Sequence, residues 1–239
     1  MQASLPTWRF VPEDLDAGDL KQLQPLFAEL ENRSIQTAEE LSQWLEDESE
    51  LQARISAEKA RRYIRKTCYT DDESAKERFL DMQREVMPEV EILTNRLTTR
   101  FLECPLLDAL PKDHYEVLIR KRQSSKEIFR EENTALQVKE SELQTQQQVL
   151  MGSIVVKYQG EDYTPQQMAP FYLDQDRDVR EAAHAATLEA RRPTWDKLHD
   201  LYSELIALRH QMGQNAGFNS YTPFRFQQLQ RFDYTEELC

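Results

Sequence analysis

Residues 70–101, TDDESAKERFLDMQREVMPEVEILTNRLTTRF, carry the most regular apolar pattern of the chain. Apolar side chains recur there at steps of 4, 3, 4, 4, 3, 4 and 4, at Ala75, Phe79, Met82, Val86, Val90, Leu93, Leu97 and Phe101. This spacing places them along one face of an α-helix and does not fit the alternation of a β-strand. Pro88 lies inside the pattern, so we expect it to kink the helix without ending the stripe. We interpret the stripe as buried core.

A second long helix is predicted directly before this one. Thr37 and Glu40 have the spacing of a capping box, in which the hydroxyl and the carboxylate each accept a hydrogen bond from a free backbone amide. Helical spacing of apolar residues then continues to about residue 67. Thr70 repeats the capping pattern and is the predicted start of the next helix. Two long helices joined by a turn at 68–72 therefore predict an antiparallel hairpin.

Composition agrees with a helical protein. The 239 residues include only five glycines, whereas sheets and barrels use many glycines in their turns. The 43 acidic and 30 basic residues give a net charge of −13, which opposes binding to nucleic acids and to anionic membranes. No run of apolar residues has membrane-spanning length, and the N-terminus does not resemble a signal peptide. Three widely spaced cysteines are interpreted as reduced, so we expect a soluble, cytoplasmic protein.

The predicted fold class is all-α, with long antiparallel helices and one small β-hairpin near 154–163. The hairpin is indicated by β-branched and aromatic residues on both sides of Gln159-Gly160. Thr164-Pro165 then has the form of another helix start, and further helices are predicted at 112–120, 125–151, 176–191 and 194–213. Four segments follow: an irregular segment with a short helix at 1–36, the long hairpin at 37–103, helices and the β-hairpin at 104–173, and a helical region at 174–239.

Patterns that carry catalytic chemistry are absent from the sequence. None of the four histidines belongs to an H-E-x-x-H zinc motif, and His199 and His210 would lie about 16 Å apart along one helix. The five glycines form no phosphate-binding loop. We therefore predict no catalytic and no metal-binding residue. The basic cluster 120–122 is interpreted as a solvated face, because acidic residues flank it.

Several short segments in the last third of the chain resemble the M3 family of metallopeptidases, especially its oligoendopeptidase F branch. Residues 174–182 resemble that branch's D-R-x-V-R-x-x-A stretch, and Leu208-Arg209 its L-R pair. Residues 215–221, NAGFNSY, and 231–235, RFDYT, resemble its N-A-G-F-x-N-Y and R-F-D-Y-T segments. Each segment is short, but their order and spacing agree with the family throughout.

The resemblance implies a multihelical fold like that of neurolysin and oligoendopeptidase F, in which two mostly helical halves enclose a deep channel. In that family an H-E-x-x-H helix and a later Glu hold zinc, and both follow the R-F-D-Y-T segment. The resemblance thus implies that residues 174–239 begin the catalytic region and that the chain is an N-terminal, channel-forming portion. Such a portion would be inactive alone. Zinc, short peptide substrates and a C-terminal catalytic half of the same polypeptide are implied for the parent enzyme.

Four residues near the junction with that half are candidates for the channel or the interface: Tyr221, Arg225, Arg231 and Tyr234. Local packing around a loop is the alternative interpretation of these residues. A different function also remains open, that of a self-contained helical adaptor that binds a partner in an apolar groove. If a neighbouring half is missing, apolar residues around 195–230 should lack partners.

Overall fold

The structure, a computed structural model, describes residues 9–239. Its α-helices are α1 (Leu20–Asn32), α2 (Ala38–Cys68), α3 (Glu73–Asp81), α4 (Met87–Leu102), α5 (Lys112–Ile128), α6 (Glu132–Gly152), α7 (Arg177–Arg191), α8 (Trp195–Asn215) and α9 (Tyr221–Gln228). Strands β1 (Val156–Tyr158) and β2 (Glu161–Tyr163) form one antiparallel hairpin. The predicted all-α class with one small hairpin is confirmed. Among the described residues, no helix has both the length and the apolar character needed to cross a bilayer.

The chain divides into two compact units. The first unit contains the chain up to Val138 together with Gln211–Cys239, and the second contains Lys139–His210.

Helix α2 begins at the predicted capping box. The Glu40 amide donates to Thr37 Oγ1 at 3.2 Å, and the Thr37 amide donates to Glu40 Oε2 at 3.3 Å. The turn at 68–72 is confirmed, but the predicted cap at Thr70 is wrong. Asp72 caps α3 instead, because its carboxylate accepts from the Ala75 amide at 2.9 Å.

The irregularity that Pro88 was expected to introduce takes the form of a π-helical segment, Met82–Val86, between α3 and α4. There the Met87 amide donates to the Met82 carbonyl, five residues back rather than four. Pro88 has no amide to donate and its ring crowds the preceding turn, so the wider turn places the proline at the start of α4. The apolar stripe continues through the segment, with Met82 and Val86 both buried.

Two other boundaries differ from the prediction. Helix α5 extends to Ile128, so the break before α6 falls at 129–131 rather than at 121–124. The predicted helix at Thr164-Pro165 is only a turn followed by a 3₁₀ helix, Ala169–Leu173. The Thr164 hydroxyl does accept from the Gln167 amide at 3.3 Å, but Pro170 has no amide to continue an α-helix.

The second unit contains a small core around the β-hairpin. Val156, Tyr158, Met168 and Ala183 are its buried members. The Tyr158 hydroxyl donates to the Val179 carbonyl at 3.3 Å, which ties β1 to α7. Gln159 and Gly160 both have positive φ, as a type I′ turn requires.

The core of the first unit centres on Trp44. Its fully buried indole donates from Nε1 to the Leu30 carbonyl at 2.9 Å, and its ring stacks on Phe101 with the centroids 6.3 Å apart. Leu30 lies in the last turn of α1, where carbonyls lack partners within the helix. The guanidinium of Arg122 lies 4.7 Å from the centre of the Phe101 ring and pairs with the buried carboxylate of Glu48. Helices α1, α2, α4 and α5 therefore meet at this point.

We expect Trp44→Phe to lower the free energy of unfolding by about 2 to 4 kcal/mol, because it leaves the buried Leu30 carbonyl unpaired and creates a cavity. Urea unfolding followed by circular dichroism measures the loss. Trp195→Phe is the matched control, since Trp195 is about half exposed, and it should change stability by less than about 0.5 kcal/mol. Equal effects of the two substitutions would contradict the assignment of Trp44.

Glu91 makes the stability depend on pH. Burial raises the pKa of its carboxyl group, against the weaker opposing effects of the hydrogen bond from Gln137 and the charge of Lys59. A carboxyl whose pKa is higher in the folded state favours folding at acidic pH, and this contribution is lost as the pH rises through the folded-state pKa.

We expect Glu91→Gln to raise the melting temperature at about pH 8, because it removes the cost of a buried carboxylate, and to have little effect below about pH 4. Melting curves across this range measure the difference. Glu89→Gln is the control, because Glu89 is exposed on the same helix. A stabilisation by Glu91→Gln that is the same at every pH would refute this explanation.

Candidate functional site

The connection between α8 and α9 positions the candidate residues. Helix α8 ends in the predicted stop at 215–217, where Gly217 has a φ of 89° and the Phe218 amide donates to the Gly213 carbonyl at 2.9 Å. A Cβ on Gly213 would lie 2.9 Å from the Ser220 carbonyl oxygen, so this close approach requires glycine.

Asn133 fixes this connection from α6. Its buried side chain donates to the Met212 carbonyl at 3.0 Å and accepts from Asn215 Nδ2 at 2.8 Å. Sequence reasoning missed this residue, because nothing in its neighbourhood along the chain relates it to the segment 80 residues later.

Two of the four candidate residues lie together in a cavity of about 580 Å³, which we call the C-terminal cavity. Arg231 and Tyr234 line it, together with Phe226 from α9. The Arg231 guanidinium lies 5.3 Å from the centre of the Phe226 ring and 5.7 Å from that of Tyr234. Tyr234 meets Phe226 edge-on at 5.6 Å, so one aromatic pair supports the cation.

The other two candidates do not line this cavity. The Tyr221 ring lies 5.8 Å from the buried ring of Phe224. Arg225 is exposed and donates from Nη1 to Gln228 Oε1 at 2.5 Å. The structure thus brings Arg231 and Tyr234 together and places Tyr221 and Arg225 on the neighbouring helix.

Arg120 is a further cation of the C-terminal cavity. Its guanidinium lies 4.2 Å from the centre of the Phe232 ring, and Nη2 donates to the Phe232 carbonyl at 3.3 Å. The interpretation of 120–122 as a solvated face agrees with the exposure of Arg120 and Lys121. It is wrong at Arg122, whose side chain is largely covered and pairs with the buried Glu48. The charges of the flanking residues gave no indication of these contacts, which are made with distant parts of the chain.

Acidic and polar groups complete the lining of the C-terminal cavity. Glu127 Oε2 accepts from Gln227 Nε2 at 2.7 Å, and the Ser124 hydroxyl donates to the Gln227 carbonyl at 3.3 Å. The pKa of Glu237 is lowered, first by a hydrogen bond from the Thr235 side chain and then by its own backbone amide. The lining therefore combines two arginines, aromatic rings and carboxylates, which are groups that can bind charged and aromatic parts of a peptide.

The residues present do not fit a zinc ion. Between residues 9 and 239, no three histidine, cysteine, aspartate or glutamate side chains are grouped so that they could hold a metal. We therefore derive no metal chemistry from this part of the chain.

A family model described as the Peptidase M3 N-terminal domain matches residues 10–129. The chain belongs to the M3 peptidase family. The match covers α1 to α5, including the helices that meet at Trp44. No curated protein matches the sequence.

Three solved structures share the fold over nearly the whole chain. A protein described as an oligoendopeptidase F superposes with a TM-score of 0.87 at 24% identity, over 97% of this chain and 41% of its own. PZ peptidase A, solved with an inhibitor, gives 0.86 at 23% identity, over 96% and 41%. A protein from Bacillus anthracis strain Ames, also described as an oligoendopeptidase F, gives 0.85 at 21%, over 95% and 42%. The chain thus spans about two-fifths of the length of these relatives.

We expect Arg120→Ala to loosen the segment 229–238, because it removes a stacked cation and a hydrogen bond to the Phe232 carbonyl. Amide hydrogen exchange of this segment should become roughly tenfold faster. Lys121→Ala is the control, because Lys121 is exposed and does not line the C-terminal cavity. Unchanged exchange in Arg120→Ala would show that the stacked pair does not hold the segment.

Proposed function

We propose that this M3 chain forms one wall of the substrate channel of a zinc-dependent oligoendopeptidase that hydrolyses short peptides. In this proposal the residues that bind zinc and carry out hydrolysis belong to a C-terminal half of the same polypeptide. The observation that carries the proposal is the M3 N-terminal match, together with a fold that covers 95–97% of this chain but 41–42% of each relative.

An exposed apolar stripe on α8 supports the presence of a neighbouring half. Trp195, Tyr202 and Ile206 are 49%, 54% and 65% exposed, and their spacing of seven and four residues places them on one face of the helix. Large apolar side chains exposed in a row are typical of a surface that binds another protein or domain. Within the range 195–230 where unpartnered apolar residues were expected, these three are exposed, whereas Leu208, Met212 and Phe224 are buried. We propose that the C-terminal half covers this face.

The C-terminal cavity supports the channel part of the proposal. Arg231 and Tyr234 line it beside Phe226, and Arg120 adds a second cation. These groups offer charge and aromatic surface to a peptide but contain no nucleophile activated by a base. We propose that Arg231 and Tyr234 contact the substrate or the C-terminal half, and that Tyr221 and Arg225 extend the same surface.

We also propose that the protein is cytoplasmic. Cys68, Cys104 and Cys239 are all free, which is typical of proteins in reducing compartments.

A chimera tests the proposed function. This chain replaces the matching part of PZ peptidase A, and cleavage of a quenched fluorescent oligopeptide is measured with zinc present. We expect the chimera to cleave the peptide and this chain alone to be inactive. Ile206→Lys in the chimera should lower activity by about tenfold, because it places a charge in the proposed junction.

Asp200→Asn is the control for Ile206→Lys, since it makes the same change in charge at an exposed position of α8 outside the stripe. A folded chimera without activity would contradict the proposal. Chelator-sensitive cleavage by this chain alone would also overturn it. Full activity of the Ile206→Lys chimera would argue against this face of α8 as the junction with the C-terminal half.

A further inference from the structure

A second cavity in the first unit, of about 880 Å³, is lined by arginines. It lies among the end of α1, the start of α2 and the C-terminal half of α4, and we call it the arginine cavity. Its three guanidinium groups belong to Arg33, Arg96 and Arg100. This concentration of positive charge is notable in a chain with a net charge of −13.

Arg33 is already neutralised by carboxylates. Its Nη1 lies 2.6 Å from Asp47 Oδ2, and its Nη2 lies 2.9 Å from a carboxylate oxygen of Glu29. Because both terminal nitrogens of its guanidinium are in ion pairs, Arg33 has a structural role. Arg96 and Arg100 are then the cations of the lining that could bind a ligand.

Arg100 and Arg96 are not neutralised in this way. Arg100 donates from Nη2 to the Arg33 carbonyl, but its buried Nε has no hydrogen-bond partner among residues 9–239. Within the same range, no carboxylate forms an ion pair with Arg96 or Arg100. Protein atoms cover that Nε, so no ligand in the cavity reaches it. The case for a ligand therefore rests on the positive charges of Arg96 and Arg100, which no carboxylate of the described residues pairs with.

The acidic residues of the arginine cavity do not balance these cations. Glu103 is held by Lys126, with Nζ 2.9 Å from its carboxylate, which leaves Glu31 as the remaining acidic side chain of the lining. Asn95 and Thr99 also line the cavity from α4 and add an amide donor and a hydroxyl donor beside the two guanidiniums. The donors at 95, 96, 99 and 100 occur on successive turns of one helix.

We propose that the arginine cavity binds an oxyanion, a carboxylate or a phosphate, through Arg96 and Arg100. Guanidinium groups match the geometry of both oxyanions and form charge-assisted hydrogen bonds with them. The inference rests on this unit alone and does not depend on the proposed peptidase role. The free carboxylate of a peptide and inorganic phosphate are the two sources that the cavity chemistry accepts.

Isothermal titration calorimetry at constant ionic strength tests the site with inorganic phosphate and with an acetylated dipeptide. The dipeptide is used both as the free acid and as the amide, and sodium chloride serves as the balancing salt. We expect saturable binding of phosphate, of the acid, or of both, and no binding of the amide. Binding of only one identifies the source, and binding of neither overturns the proposal.

Arg96→Gln and Arg100→Gln should each weaken binding by about tenfold or more, because each removes a charge-assisted contact. Arg61→Gln is the matched control, since Arg61 is exposed on α2 and outside the lining. Arg100→Gln also removes the hydrogen bond to the Arg33 carbonyl and could therefore affect folding. Arg96 is exposed, so the loss of affinity in Arg96→Gln reports on binding alone. Equal affinities in all three variants would refute the site.

Cys104 provides an independent readout, because its thiol lines the same cavity. In a Cys68→Ser/Cys239→Ser background, a bound oxyanion should slow the alkylation of Cys104 several-fold, and Arg96→Gln should abolish the protection. An alkylation rate that the ligand leaves unchanged would contradict binding at this place.

Discussion

The hydrogen bond from the Trp44 indole to the Leu30 carbonyl is the contact on which the first unit depends. It satisfies a carbonyl at the end of α1 that has no partner within its own helix, at a place without access to water. The same indole stacks on Phe101 of α4, and the guanidinium of Arg122 from α5 packs over the Phe101 ring. One buried side chain therefore fixes where three other helices lie. Arg122 also forms an ion pair with Glu48 of α2, so α5 is linked directly to the helix that contains Trp44.

This arrangement explains how a chain with so many charged residues forms a well-packed helical core in the first unit. The apolar faces of α1, α2 and α4 form the core together with Met82 and Val86, and most charged residues lie on solvated faces or in ion pairs. Several arginines stack on aromatic rings or line cavities, and of these Arg33 and Arg122 are largely covered by the rest of the chain. The proposed channel wall would need such a frame, because it would have to keep its shape while presenting charged and aromatic groups to a peptide. The C-terminal cavity and the arginine cavity both present such charged and aromatic groups.

The helices were predictable because their periodicity is local. The stripe from Ala75 to Phe101, the capping box at Thr37 and the stop at Gly217 are all decided by residues within one or two turns of each other. The same reasoning erred where two local patterns compete, as at Thr164, where a good cap is followed by a second proline. It also missed Arg120, Asn133 and Arg122, because their partners lie 74 to 112 residues away along the chain. The short M3-like segments indicated the family, whereas the grouping of Arg231 and Tyr234 around Phe226 needed the folded chain.

The central claim, that the face of α8 carrying Trp195, Tyr202 and Ile206 is covered by a catalytic half, is tested most directly by hydroxyl-radical footprinting. Mass spectrometry would compare the oxidation rates of these three residues in this chain alone and in the chimera with the rest of an M3 peptidase. The account predicts ready oxidation in the chain alone and oxidation several-fold slower in the active chimera. Equal rates in an active chimera would contradict it, because the stripe would then be a surface that the rest of the enzyme never covers.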